Sequence, residues 1–231
     1  MTKQNNYNWK KDKFTIIRNA ISKEMAEFLK NYIILRRRVT KTYFDIGFLH
    51  KDNVDFGTWY DPQVPGTFSL YGDYAMETLL VKLKPMMEKV TKTKLFENYA
   101  YTRVYKVKDE LRRHKDRFSC EISTTLNLGG DKPWPIYINP NEEEGTWNNT
   151  TEKYIPSTSK GIKVDLKPGD MLVYRGNLLE HWRERFEGNH CAQVFLHYNN
   201  VKTEGAEENA LDRRPHLGLP QRIKRAEKRI P

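Results

Sequence analysis

The chain has 231 residues, a length that fits one domain, and its 38% hydrophobic and 12% aromatic content suits a packed core and excludes a disordered chain. The two cysteines, Cys120 and Cys191, supply neither a disulfide framework nor zinc-finger spacing, and no run has the apolar length of a signal peptide or a membrane span. A soluble, reducing, cytoplasmic setting is expected, and the net charge of +10 bears on partners rather than fold: either a solvated basic surface or one that meets nucleic acid or an acidic substrate.

In chain order, Phe14 to Arg18 reads as a short strand. Ser22 is placed to cap a helix in which Met25, Phe28, Leu29, Tyr32 and Ile33 recur at helical spacing. A second helix is expected over 74–89, kinked or ended by Pro85. Between the two lies an irregular stretch of glycine and proline with Phe44, Phe48, Trp59 and Tyr60, suited to a substrate-facing lid or a second core cluster. From Tyr99 onward the pattern turns to strands. Tyr99 to Val107 is aromatic and β-branched, with Tyr99, Tyr101, Arg103 and Tyr105 on one face. Further strands are expected at Cys120–Leu128, Ile136–Ile138, Gly161–Leu166, Met171–Tyr174 and His190–Tyr198, with a polar loop from Asn139 to Ser159. The sequons at Asn148 and Asn149 fall in that loop and are read as chance. Short strands after helices indicate an α+β protein built on a barrel or jelly roll. The domain is expected over 1–205, with its core at 99–200 and a basic tail at 206–231.

Two segments carry candidate chemistry. In Glu110-Leu-Arg-Arg-His114-Lys-Asp116-Arg117, an extended backbone points His114 and Asp116 the same way. In Gly169-Asp-Met-Leu-Val-Tyr-Arg-Gly-Asn-Leu-Leu-Glu-His181, a turn and a strand deliver one more imidazole. Two histidines and a carboxylate on one face of an octahedron leave adjacent positions open, the arrangement of non-haem Fe(II). A His-x-Asp alone is a weak signal, and a lone His181 reads more often as an ordinary surface or core histidine. The joint order of strands, ligands and the Lys167-Pro-Gly-Asp170 turn raises it.

On YKVKDELRRHKD (105–116), LKPGDMLVYRGNLLEHW (166–182) and HCAQVFLHY (190–198), the sequence resembles the 2-oxoglutarate- and Fe(II)-dependent oxygenases, in their prolyl-4-hydroxylase-like branch. The resemblance implies a double-stranded β-helix (jelly-roll) core with N-terminal supporting helices. It implies His114, Asp116 and His181 as catalytic metal ligands, and Fe(II), 2-oxoglutarate and O2 as cofactor and cosubstrates, with ascorbate as an accessory reductant. Tyr105 matches a tyrosine that meets the cosubstrate's far carboxylate, and Thr125 a second polar contact. The family's basic residue on the strand after the second histidine is replaced here by His190, which shares the apolar face of Ala192, Val194, Leu196 and Tyr198 and is therefore expected to look into the barrel. Arg103 is the rival anchor, because a buried arginine needs a partner; Arg183 and Arg185 are further candidates. Salt bridges to nearby glutamates are the plain alternative for each. Arg117 and Phe118 are expected at the cavity rim, and Trp134, Trp147 and Trp182 in a groove or in the core.

The activity so implied is hydroxylation coupled to oxidative decarboxylation of 2-oxoglutarate. Asp116 argues against halogenase chemistry, which needs that ligand position for halide. A protein or peptide side chain is the leading substrate. A nucleic acid or small molecule is the alternative, and a non-catalytic jelly-roll binding module the remaining one.

Overall fold

The computed structural model describes residues 7–50 and 52–225. A single turn of helix, α1 (Trp9–Asp12), leads into strand β1 (Phe14–Ile17) and then α2 (Lys23–Asp45). The Ser22 hydroxyl accepts the Met25 amide at 3.1 Å and so starts α2 where the capping residue sits. Ala26, Leu29 and Ile33 form the buried face of α2, whereas Met25 and Phe28, expected beside them, are exposed. Strand β2 (Phe68–Tyr71) lies within the irregular stretch, ahead of α3 (Tyr74–Thr91), which Asp73 caps. Pro85 does not end α3. The helix continues through it, because one missing amide donor weighs less than the buried contacts of Leu83 and Met87 on either side.

The remaining strands are β3 (Leu95–Lys106), β4 (Leu111–His114), β5 (Ile122–Gly130), β6 (Ile136–Ile138), β7 (Thr146–Asn148), β8 (Lys153–Ile155), β9 (Ile162–Val164), β10 (Met171–Tyr174), β11 (His181–Arg183) and β12 (His190–Asn200). All pairings among the described residues are antiparallel. A six-stranded sheet runs β1-β10-β5-β12-β3-β2, facing a four-stranded sheet β4-β11-β6-β9, and β7 and β8 form a separate hairpin inside the polar loop. This is an α+β jelly roll with helices on the outside of the larger sheet.

That layering decides which face of each strand looks where. The apolar face of β12, with Ala192, Val194, Leu196 and Tyr198, packs with Leu29, Ile33, Leu80 and Leu83 of the helices. The opposite face, with Cys191, Gln193, Phe195 and His197, is turned toward the barrel interior, where Cys191 and Phe195 join Tyr105, Leu111, Trp134 and Phe186. Both faces of a central strand are buried here, so apolarity marks the helix side and not the interior.

The chain after β12 does not trail away from the barrel. It forms α4 (Ala206–Asn209) and a 3-10 turn (Ala210–Arg213). Arg214, fully buried, meets Glu77 of α3 at 2.6 Å and the Asn98 carbonyl at 3.0 Å. Arg222 pairs with Asp55 at 2.5 Å. The last part of the expected basic tail, 226–231, lies outside the described residues. No helix among the described residues is long and apolar enough to cross a membrane.

Candidate metal centre and barrel interior

His114 ends β4 and His181 begins β11, and the two are direct partners in the antiparallel register. Their rings stand 4.2 Å apart, centroid to centroid. Asp116 lies just past the strand, fixed by its amide donating to the Gly176 carbonyl at 2.8 Å. Its Oδ1 is 3.5 Å from His114 Nε2 and 3.6 Å from His181 Nε2.

The ring tautomers are set by the backbone. His114 Nδ1 is 2.8 Å from the Arg112 carbonyl, and His181 Nδ1 is 3.0 Å from that of Leu179. A carbonyl only accepts, so both Nδ1 atoms carry the proton and both Nε2 lone pairs face Asp116 Oδ1. Adjacent octahedral donors about 2.1 Å from an ion stand about 3 Å apart, so a small closure of this set would hold a divalent cation. Burial lowers the pKa of His114 and favours the neutral ring that a metal requires. Burial pushes Asp116 up, yet its carboxyl lies well below its ordinary range, in the ionised form a metal takes. The donor set fits a metal.

A cavity of about 350 Å³ opens beside these residues, walled by Tyr99, Tyr101, Arg103, Arg117, Tyr174 and Phe195 among others. The Tyr174 hydroxyl is 3.4 Å from His181 Nε2. Burial keeps that phenol protonated far above its usual range. Toward the surface the cavity shares Asp61, Tyr71, Tyr101 and Gln221 with a second cleft of about 560 Å³, between residues 54–62 and the C-terminal segment 220–224.

The candidate anchors for a cosubstrate separate clearly. His190 does not look into the barrel. Its ring is half exposed, 4.0 Å from Asp131, on the side of β12 where Arg37 and Arg38 of α2 lie. The reason is the layering above, since the face that His190 shares is the helix face. Arg103 does line the cavity, but its charge is already met by Asp61, and Gln63 Oε1 accepts from it at 2.6 Å. Arg185 is exposed and 3.9 Å from Glu187.

Arg183 differs from all of these. It follows His181 by two positions on β11, is 1% exposed, and has no acidic partner among the described residues. Its Nη1 donates to the Trp134 carbonyl at 2.5 Å and its Nη2 to Thr125 Oγ1 at 3.1 Å. Its guanidinium sits 4.9 Å over the Trp134 ring. Its Nε and the nearby Tyr105 hydroxyl are buried without hydrogen-bond partners. Burial pulls the Arg183 pKa down, the mark of a cation without a counter-charge.

Of the other expected site residues, Arg117 lines the cavity and forms a two-pronged pair with Asp212, at 2.9 and 3.0 Å. Trp134 and Trp182 are core, and Trp147 is exposed. On the outer face, buried Glu180 accepts from Tyr154 at 3.0 Å, the Ser157 amide at 2.9 Å and Arg113 at 3.2 Å, which ties the 139–159 loop to the strand bearing His181. Tyr174, Ser123, His197 and Asp212 were not singled out by the sequence. Period two along β12 places His197 with Cys191, and that was the one available signal.

The fold is similar to those of solved prolyl hydroxylases and of non-heme alpha-ketoglutarate-dependent enzymes. A Pseudomonas putida prolyl-4-hydroxylase superposes with a TM-score of 0.53 at 12% identity, over 83% of this chain and 95% of that one. The epimerase SnoN, in complex with Fe3+, alpha-ketoglutarate and nogalamycin RO, superposes at 0.60 with 11% identity, over 96% and 94%. HygX from Streptomyces hygroscopicus, with nickel and 2-oxoglutarate bound, does so at 0.55 with 12% identity, over 87% and 88%. No family model matches the sequence, and no curated protein matches it. At these identities the likeness is one of fold.

Proposed function

We propose that the protein is a 2-oxoglutarate- and Fe(II)-dependent oxygenase that holds the metal on His114, Asp116 and His181 and the far carboxylate of 2-oxoglutarate on Arg183. The observation that carries this is a buried Arg183 whose hydrogen-bond partners are all uncharged. Sequestering a cation from water costs several kcal/mol unless an anion meets it. A dicarboxylate reaching inward from the metal site supplies that anion. Thr125 and the unpaired Tyr105 hydroxyl stand beside it as further hydrogen-bond donors. When bound, the iron and its cosubstrate supply the oxidising power, with O2 as oxidant and ascorbate as an accessory reductant. The chain's own residues orient those groups and exclude water: Tyr174 offers a protonated hydroxyl near His181, and Tyr99 and Phe195 wall the cavity.

The reaction we assign is hydroxylation of a side chain of a protein or peptide. The cavity is small and continues into a longer open cleft, which suits one side chain reaching the metal while the backbone on either side stays outside. Nucleic acid is the second reading, and the net charge of +10 is its support. Steep weakening of binding with salt would favour it.

The test is anaerobic calorimetry with Fe(II) and then 2-oxoglutarate, followed by succinate release in air. Ordered binding of both and slow succinate formation without substrate are expected. Folded protein that binds neither would refute the assignment.

A further inference from the structure

Buried behind Asp116 is a hydrogen-bond chain on two strands that contribute no metal ligand. Ser123 of β5 and His197 of β12 are direct cross-strand partners. Both are buried. Ser123 Oγ is 3.0 Å from Asp116 Oδ2 and 2.9 Å from His197 Nδ1. Gly176 closes the other side: a Cβ there would collide with both Asp116 Oδ2 and Ser123 Oγ. The carboxylate is thus gripped at Oδ2 while Oδ1 is left toward the two imidazoles.

We propose that His197 and Ser123 are positioning residues that hold Asp116 as a one-oxygen ligand, with the hydrogen bonds running from His197 Nδ1–H to Ser123 Oγ and from Ser123 O–H to Asp116 Oδ2. The direction follows from counting protons. Ser123 has one hydroxyl proton and three possible acceptors in reach: the Asp116 carboxylate, the Cys120 carbonyl at 2.9 Å, and His197 Nδ1 were it bare. The ionised carboxylate is the strongest acceptor. With that proton committed, Ser123 can meet His197 only as an acceptor, so His197 must carry its proton on Nδ1. A chain with all its donors pointing one way is mutually reinforcing. Its consequence is a carboxylate that does not swing into two-oxygen chelation, so three adjacent coordination positions stay free for incoming ligands where two-oxygen chelation would leave two.

The inference rests on the reading of His114, Asp116 and His181 as a metal site, and the test separates the two. Metal-free full chain is titrated with Co(II) anaerobically, by calorimetry and by the visible absorption of bound cobalt. The arms are wild type, His114→Ala, Ser123→Val, Ser123→Thr, His197→Leu and His197→Asn. Val and Thr have one shape and differ by the hydroxyl, and Asn keeps a donor near the position of Nδ1 where Leu has none. Ser123→Val and His197→Leu are expected to bind Co(II) about tenfold to hundredfold more weakly, with an altered cobalt spectrum, while Thr and Asn stay close to wild type. Equal affinity in Val and Thr, and in Leu and Asn, overturns the positioning role. A wild type that binds Co(II) no better than His114→Ala sinks the metal site and this inference together. Should the apolar variants not fold, long-range ¹H–¹⁵N correlation on the wild type decides: a proton on His197 Nδ1 is expected, and a bare Nδ1 would overturn the proposed direction.

Discussion

His114 and His181 face one another across β4 and β11 as a register pair, and the backbone carbonyls of Arg112 and Leu179 turn both Nε2 atoms toward Asp116. Strand pairing therefore places the two imidazoles, and the hydrogen bond from the Asp116 amide to the Gly176 carbonyl places the carboxylate between them. Chelation should leave the fold intact, and added metal should raise its stability by mass action. With free Co(II) a hundredfold above its dissociation constant, the gain expected is about 2.7 kcal/mol in urea unfolding. His181→Ala should abolish that increment. An equal increment in the variant would place the metal elsewhere.

The segment after β12 is part of the folded unit through a buried pair at long sequence separation, Arg214 with Glu77. Removing one member leaves the other as an uncompensated buried charge. Arg214→Leu should destabilise the protein by about 3–5 kcal/mol, and Glu77→Gln by a smaller amount because it keeps an acceptor. Urea unfolding of both variants measures this. A change below about 1 kcal/mol in Arg214→Leu would detach the segment from the core.

The acid limb of stability should carry the signature of His197. Burial holds its pKa at about 4 against an ordinary 6.5. Between those values the unfolded chain takes up a proton that the folded chain refuses. Stability from this group is therefore complete above about pH 6.5 and is lost as pH falls toward about 4, by roughly 1.4 kcal/mol per pH unit and about 3 kcal/mol across the window. His114, also lowered by burial, adds a slope of the same sign. Unfolding of metal-free His197→Asn between about pH 4.5 and pH 7.5 should show a shallower loss than wild type. An unchanged slope would mean that His197 is not buried neutral.

His-x-Asp was legible in the sequence because its two ligands alternate onto one side of an extended segment, a purely local property. The Ser22 cap and the Met171–Tyr174 strand were legible for the same reason. The anchor was harder to read because β12 is buried on both faces. Its apolar face suggested an interior position for His190, yet that face lies under the helices, and the more polar alternation of Gln193 and His197 is the one that looks inward. Arg183 was within reach, being two positions past a ligand on the same strand. What set it apart from Arg103 is the absence of an acid beside it, and no single sequence shows that. Asp212 was invisible altogether: it is held by Arg117, Tyr71 and Ser119 at sequence separations of 95, 141 and 93 residues, and it stands in a run of left-handed residues, Leu211, Asp212 and Arg213, that no turn signal marks.

Arg183 allows a prediction in which function and stability move in opposite directions. It is a fully buried cation whose partners are the Trp134 carbonyl, the Thr125 hydroxyl and Gln193, all uncharged. An ion so placed lowers the stability of the ligand-free fold and is retained for what it binds. Arg183→Met keeps much of the volume and deletes the charge. In the metal-free protein it should raise stability by about 1–3 kcal/mol. Co(II) affinity should stay near wild type, because none of the three ligands touches Arg183. Affinity for 2-oxoglutarate should fall at least about a hundredfold, the loss expected when a charged hydrogen-bond pair is broken. Arg103→Met, whose charge is already met by Asp61, should instead destabilise the fold and leave 2-oxoglutarate affinity within about threefold of wild type. Calorimetric titration and urea unfolding of the two variants side by side distinguish the assignments. The reverse pattern would move the anchor from β11 to β3.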